Sequence, residues 1–259
     1  MTTLLLIILT ALCIGSFLNA CIWRLPREIS VNSPSRSFCT SCNYQLSWYD
    51  NIPVLSWVFL LGRCRKCKQS ISGRYPLVEM LSALAAFACY LQFGVTPTSL
   101  IIYLLTASLI VITFIDLDFK IIPNLITFPG MIIGLAFGGV NEYFHVFTNP
   151  VTSGALDSLI GFLIGGGFFF VVGEAYYRIT GREGIGGGDI KLLAMTGAIL
   201  GWRSIPHTIF IGSFFGAIVG LLYMFIKGGG RQLEIPFGPW LALGVLSYIF
   251  FTDIPFFRF

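Results

Sequence analysis

Apolar stretches separated by short polar breaks run through almost the whole chain. Eight of them stand out, at 2–23, 77–94, 97–115, 123–140, 155–177, 190–202, 205–226 and 237–254. A membrane crossing takes about 20 mainly apolar residues. The pattern therefore predicts an all-α, polytopic membrane protein of about eight transmembrane helices. The sixth stretch is short for a crossing, and Gly201-Trp202-Arg203-Ser204 is a brief break before the seventh. Two glycine series, Gly161, Gly165, Gly166 and Gly167, then Gly212, Gly216 and Gly220, are small-residue faces that let helices pack closely.

Composition agrees. Of 259 residues 56% are hydrophobic and 11% charged, with mean hydropathy +0.84, whereas soluble domains average about 25% charged. The net charge of +4 does not point to nucleic acid, because the basic residues are spread as topology signals. All Lys and Arg except Arg203 and Arg258 fall on one side of the predicted topology. By the positive-inside rule that side is the cytoplasm. Arg24 and Arg27 follow the first apolar run, which reads as an uncleaved anchor. The expected organisation is an anchor at 1–23, a cytoplasmic loop domain at 24–76 and a polytopic membrane part at 77–259. Trp57 and Trp240 are candidate interfacial anchors.

The loop domain holds Cys39-Thr40-Ser41-Cys42 and Cys64-Arg65-Lys66-Cys67. Two such pairs offer four thiolates to one tetrahedral ion. Disulfides are disfavoured in the cytoplasm, and a segment this small gains from a metal staple. The expectation is a zinc-ribbon-like structural Zn²⁺ site on Cys39, Cys42, Cys64 and Cys67. Cys13, Cys21 and Cys89 lie in apolar runs and read as ordinary hydrophobes.

Two aspartates carry the candidate chemistry. Asp116 closes the third stretch, in Phe114-Ile115-Asp116-Leu117-Asp118-Phe119-Lys120. Asp189 opens the sixth, after Gly186-Gly187-Gly188 and before Ile190-Lys191. Carboxylates at the membrane boundary are costly and by default functional. Both lie on the cytoplasmic side at similar depth, so a pair sharing one proton is possible. The plain alternatives are a helix stop for Asp116 and an N-cap for Asp189. Three glycines permit backbone conformations and close approaches that other residues do not. Asp118 and Lys191 are candidate supporting groups. Glu79 lies just inside the second stretch, where a salt bridge to Arg74 is the plain alternative to a functional role.

Taken in order, these segments resemble the type IV prepilin peptidases over nearly the whole length. The resemblance rests on Gly15-Ser16-Phe17-Leu18-Asn19 with Arg24-Leu25-Pro26, both cysteine pairs, and Gly73-Arg74-Tyr75-Pro76-Leu77-Val78-Glu79. It continues through Asp116-Leu117-Asp118, Ile122-Pro123-Asn124 and Gly186-Gly187-Gly188-Asp189-Ile190-Lys191. It implies a bifunctional enzyme of the bacterial inner membrane, multi-pass, with its active site facing the cytoplasm. Asp116 and Asp189 would be the catalytic pair for cleaving prepilin or pseudopilin leaders. S-adenosylmethionine would be the donor for N-methylating the new terminus, with Glu79 a candidate contact for donor or amine. An ion-coupled transporter would place its acids near the bilayer midplane and show paired broken helices. A non-enzymatic assembly protein would leave the aspartate motifs without purpose.

Overall fold

The computed structural model describes residues 2–33, 36–181, 184–227 and 236–251, and every element among them is helical or irregular. The helices are α1 (Thr2–Arg24), α2 (Leu55–Phe59), α3 (Arg74–Phe93), α4 (Pro97–Phe119), α5 (Asn124–Phe144), α6 (Ala155–Phe162), α7 (Phe169–Thr180), α8 (Gly187–Leu200), α9 (Ser204–Lys227) and α10 (Gly238–Phe251). A π-helical stretch, Leu163–Phe168, joins α6 to α7, making one apolar rod over Ala155–Thr180. Arg182, Arg231, Arg258, the Lys227 side chain and the end of the last apolar stretch lie outside the described residues.

Every apolar stretch of the sequence forms a helix. Six of them are long and apolar enough to cross a membrane: Thr2–Arg27, Arg74–Phe93, Pro97–Phe119, Asn124–Phe144, Ala155–Thr180 and Ser204–Ile226. α8 and α10 have 14 residues each, about 21 Å at 1.5 Å per residue, against a hydrocarbon core of about 30 Å. Every residue of α8 from Leu192 to Leu200 is buried, so this helix is enclosed by its neighbours and apolar all round.

The chain divides into two compact units, Met1–Val111 and Ile112–Phe259, the division falling within α4. In the first, α1 and α3 cross at Gly15, where a Cβ would lie 2.6 Å from the Glu79 Cα. Only hydrogen fits there, so the crossing is fixed at the level of Glu79. Buried polar groups reinforce it. Asn19 Nδ2 donates to the Tyr75 carbonyl at 3.0 Å, Ser82 Oγ donates to the Ala11 carbonyl at 2.8 Å, and Ser82 meets the Tyr103 hydroxyl of α4 at 2.8 Å. Cys21 and Cys89 are buried as expected, and Cys13 is on the outside of α1.

In the second unit α8 is the central post. Gly161 and Gly197 meet backbone to backbone where α6 crosses α8, Gly165 meets the Leu193 carbonyl, and Gly134 brings α5 against Ala198. Ser158 ties these helices together, donating to the Gly134 carbonyl at 3.2 Å and the Ala198 carbonyl at 2.6 Å. Gly212 and Gly216 of α9 lie against Trp240. Trp240 thus packs into a helix crossing. Trp57 packs on Gly62 and donates to the Ile71 carbonyl at 3.0 Å, which makes it a structural member of the loop domain. Gly167, within the π-helical turn, meets little beyond Leu163.

Candidate active site

Asp116 is not a helix stop. α4 continues to Phe119, and Asp116 is buried on its last turns, 5% exposed. The helix ends because Lys120 takes a left-handed conformation (φ 54°) while donating its N–H to the Asp116 carbonyl at 2.9 Å. The Asp116 carboxylate is occupied elsewhere: Oδ2 accepts the backbone N–H of Gly238 at 2.8 Å. Gly238 is the first residue of α10, followed by Pro239. The free N–H groups of a helix start attract negative charge. A Cβ on Gly238 would lie 2.8 Å from Asp116 Oδ2, so a larger residue would push the carboxylate away. No motif in the sequence drew attention to Gly238. The visible signal was a Gly-Pro pair opening an apolar run.

Asp189 is not an N-cap either. Gly186 occupies that position, with φ −63° and ψ 131°. Gly187, Gly188 and Asp189 form the first turn of α8. The glycines are there for room, since none of the three has positive φ. A Cβ on Gly186 would lie 2.8 Å from Asp189 Oδ2, and one on Gly188 would lie 3.0 Å from Ile122 Cβ. Gly187 has nothing within 4 Å. Gly188 thus lets the start of α8 press on the linker between α4 and α5. Lys191 adds a second tie, its Nζ donating to Asn124 Oδ1 at 2.8 Å with the ammonium over the Phe128 ring. The lysine fastens the α8 start to the α5 start.

Three helix ends therefore converge: the C-terminal turn of α4 and the first turns of α8 and α10. The Asp116 charge acts on Asp189, so the two carboxylates are within electrostatic range. Asp118 lies apart. It is exposed, and two positions on a helix do not share a face.

In the first unit the four cysteines gather. All four Sγ atoms lie within 4.8 Å of one another, with Cys39 to Cys67 at 3.8 Å and Cys42 to Cys64 at 4.0 Å. Four thiolates at about 2.3 Å from a tetrahedral zinc are about 3.8 Å apart, so the separations fit such an ion. The two turns are built alike. Cys39 N–H donates to the Tyr44 carbonyl and Cys64 N–H to the Gln69 carbonyl. Asn43 and Lys68, each one residue past a pair, return a bond to the first cysteine's carbonyl and have φ 54° and 60°. Slight burial raises the Cys39 pKa, but the N–H groups of Ser41 and Cys42 outweigh it and hold the thiol at about 6. At Cys67 the Gln69 N–H works downward, and burial with the neighbouring thiols pushes the group up to about 11. Arg65 pairs with Asp50 at 2.7 Å.

Glu79, 7% exposed, accepts the Val54 N–H at 2.7 Å and a hydrogen bond from Ser16. It lines a cavity of ≈ 410 Å³ below the cysteine turns, with Trp23, Asp50, Trp57 and Tyr75.

Comparison with known proteins divides the chain along similar lines. A family model described as "Bacterial Peptidase A24 N-terminal domain" matches residues 9–93, and one described as "Type IV leader peptidase family" matches residues 103–221. The "Prepilin leader peptidase/N-methyltransferase" of Aeromonas salmonicida is 37% identical over 262 residues, 92% of this chain and 87% of the relative. The protein of that name from Myxococcus xanthus is 40% identical over 217 residues, 84% of this chain and 62% of the relative. That of Pseudomonas aeruginosa is 33% identical over 258 residues, 91% and 86%. No solved structure matches the chain. With similarity of this extent, and both aspartates inside the second matched region, the chain belongs to the type IV leader peptidase family.

Proposed function

We propose that the chain is a membrane aspartic endopeptidase that removes the leader of type IV prepilins or pseudopilins and then N-methylates the new terminus from S-adenosylmethionine. The observation that carries the peptidase is the convergence of Asp116 and Asp189 at the starts of α10 and α8. Two close carboxylates do not both ionise readily, so one keeps a proton at neutral pH. The ionised member takes a proton from water, which attacks the scissile carbonyl. The protonated member donates to the carbonyl oxygen. As the tetrahedral species collapses the C–N bond breaks and the leaving amine receives a proton from the pair. The roles belong to the dyad as a unit. Gly186 and Gly238 give the carboxylates room, Gly188 lets the α8 start press on Ile122, Gly187 continues the turn, and Lys191 holds α8 in register.

The cytoplasm is the side on which we place this chemistry, in the bacterial inner membrane, supported by the distribution of Lys and Arg. The functional division we favour is an anchor at 1–23, a metal-binding domain at 24–76 and a membrane peptidase part at 77–259. Zinc is the ion we assign to Cys39, Cys42, Cys64 and Cys67, on the tetrahedral fit of their sulfur atoms. It supplies structure there, with no open position for catalysis.

The test is cleavage of a pilin-type leader by purified protein in bilayers. Asp116→Asn and Asp189→Asn should each abolish cleavage while leaving expression and insertion unchanged. Full cleavage by either variant would refute the dyad.

A further inference from the structure

We propose that Gly238 is a positioning residue for cleavage: its N–H holds the negative charge of the pair on Asp116, so that Asp189 carries the shared proton into the reaction. This rests on the dyad reading above and goes one step beyond it, since two carboxylates that titrate jointly can still be unequal. Gly238 lies outside both matched regions, 9–93 and 103–221.

The start of α10 is built to present this donor. Pro239 has no N–H, and the N–H groups of Trp240 and Leu241 both go to the Phe237 carbonyl at 3.1 Å. The Gly238 N–H is left, and Asp116 Oδ2 takes it at 2.8 Å. The approach needs glycine, because a Cβ there would meet Asp116 Oδ2, Cγ and Cβ at 2.8, 3.2 and 3.3 Å. The donor is also fixed in place: the Trp240 backbone lies on Gly212 of α9 and its ring on Gly216. Asp189 has no counterpart. Among the described residues no donor reaches its carboxylate, Lys191 being turned to Asn124, and the Asp116 charge bears on it. Each carboxylate also feels a helix start, Asp189 that of α8 and Asp116 that of α10. That influence falls on both, so the direct bond decides, because a hydrogen bond to a carboxylate favours its charged form. The charged groups around the pair do not reverse this order. Asp118 and Lys120 are exposed, Glu174 and Arg178 of α7 pair with each other, and α10 contains no Asp, Glu, Lys, Arg or His. The steps then balance. Asp116 takes a proton from water as the water oxygen bonds to the scissile carbonyl carbon, and Asp189 gives its proton to the carbonyl oxygen. The C–N bond breaks, Asp116 passes its proton to the leaving amine, and a hydroxyl of the tetrahedral species returns one to Asp189. The pair ends as it began.

The experiment is kcat/KM for a pilin-type leader as a function of pH, with full-length protein in lipid nanodiscs. One variant replaces Gly238 by its α-hydroxy analogue, which exchanges the N–H for an ester oxygen and adds no side chain. The second is Gly238→Ala, which keeps the donor but crowds Asp116. Cleavage requires Asp116 ionised, so weakening the bond should move the acid limb of the profile up by about one pH unit with the alkaline limb in place. Movement of the alkaline limb alone would put the proton on Asp116. A uniform loss of rate with both limbs unmoved would make Gly238 merely structural. Either result overturns the assignment and leaves the dyad standing, whereas the dyad itself fails only on cleavage by Asp116→Asn or Asp189→Asn. Infrared titration of those two variants covers the case in which neither Gly238 variant folds. Asp116, alone in Asp189→Asn, should take its proton at lower pH than Asp189 alone in Asp116→Asn, and the reverse order would refute the proposal.

Discussion

The sharpest consequences concern single glycines. Gly238 and Gly187 both adjoin the dyad's helix starts, but a Cβ meets Asp116 Oδ2 at 2.8 Å on the first and open space on the second. A displacement of about 1 Å in a catalytic group can cost on the order of a hundredfold. Gly238→Ala should therefore lower leader cleavage by roughly that factor at unchanged protein level. Gly187→Ala should cleave like wild type, although it lies in the conspicuous glycine run. Initial rates on one leader substrate compare the two directly, and equal losses would show that the glycines matter for something other than room. Asp116 and Asp189 were legible in the sequence because rare acids mark apolar boundaries. Gly238 was not, because its contact with Asp116 spans 122 positions and a lone glycine before proline carries no chemical signature. The Gly186–Gly188 run was legible only in part for a related reason: composition shows that glycine is needed but not whether the backbone or the missing Cβ requires it.

At the level of elements, the dyad depends on where α8 begins. Two contacts set that start, Gly188 against Ile122 and Lys191 Nζ on Asn124 Oδ1. Residues joined by one such bond show non-additive effects on mutation. Lys191→Ala and Asn124→Ala should each reduce cleavage moderately, and the double variant should be little worse than either single one. A cycle of cleavage rates measures this, and strictly multiplicative losses would mean that the two act separately. α8 also shows the limit of reading elements from hydropathy. Its 14 residues are as apolar as a crossing, and a buried helix and a membrane span are both apolar all round. What hydropathy does not show is the enclosure: α6 crosses α8 at Gly161 and Gly197 with backbone against backbone. Gly161→Val should lower the melting temperature and abolish cleavage together, as expected for a fault in the core of the unit.

On the scale of the whole chain, the cysteine turns and the aspartates fall in separate compact units, Met1–Val111 and Ile112–Phe259. The cysteine turns roof the cavity, since Cys39 and Cys64 both line it, and their fold is short on core. Two isolated bridges, Phe38 with Gln45 and Arg63 with Ser70, help to hold the turns, with the Arg65–Asp50 pair and the Trp57 bond to Ile71. A structural zinc contributes folding energy directly in such small segments. Removing it by Cys39→Ser/Cys42→Ser should therefore loosen the cavity walls first. The carboxylates, held by helix starts of the other unit, do not depend on those turns for any contact described above. The expected outcome is loss of bound metal and protease sensitivity within 24–76, with leader cleavage reduced far less. Metal content, limited proteolysis and cleavage measured on one preparation give the answer. Loss of cleavage in step with the metal would show that the metal supports the enzyme as a whole, and unchanged metal content would remove the cysteines from the ligand set.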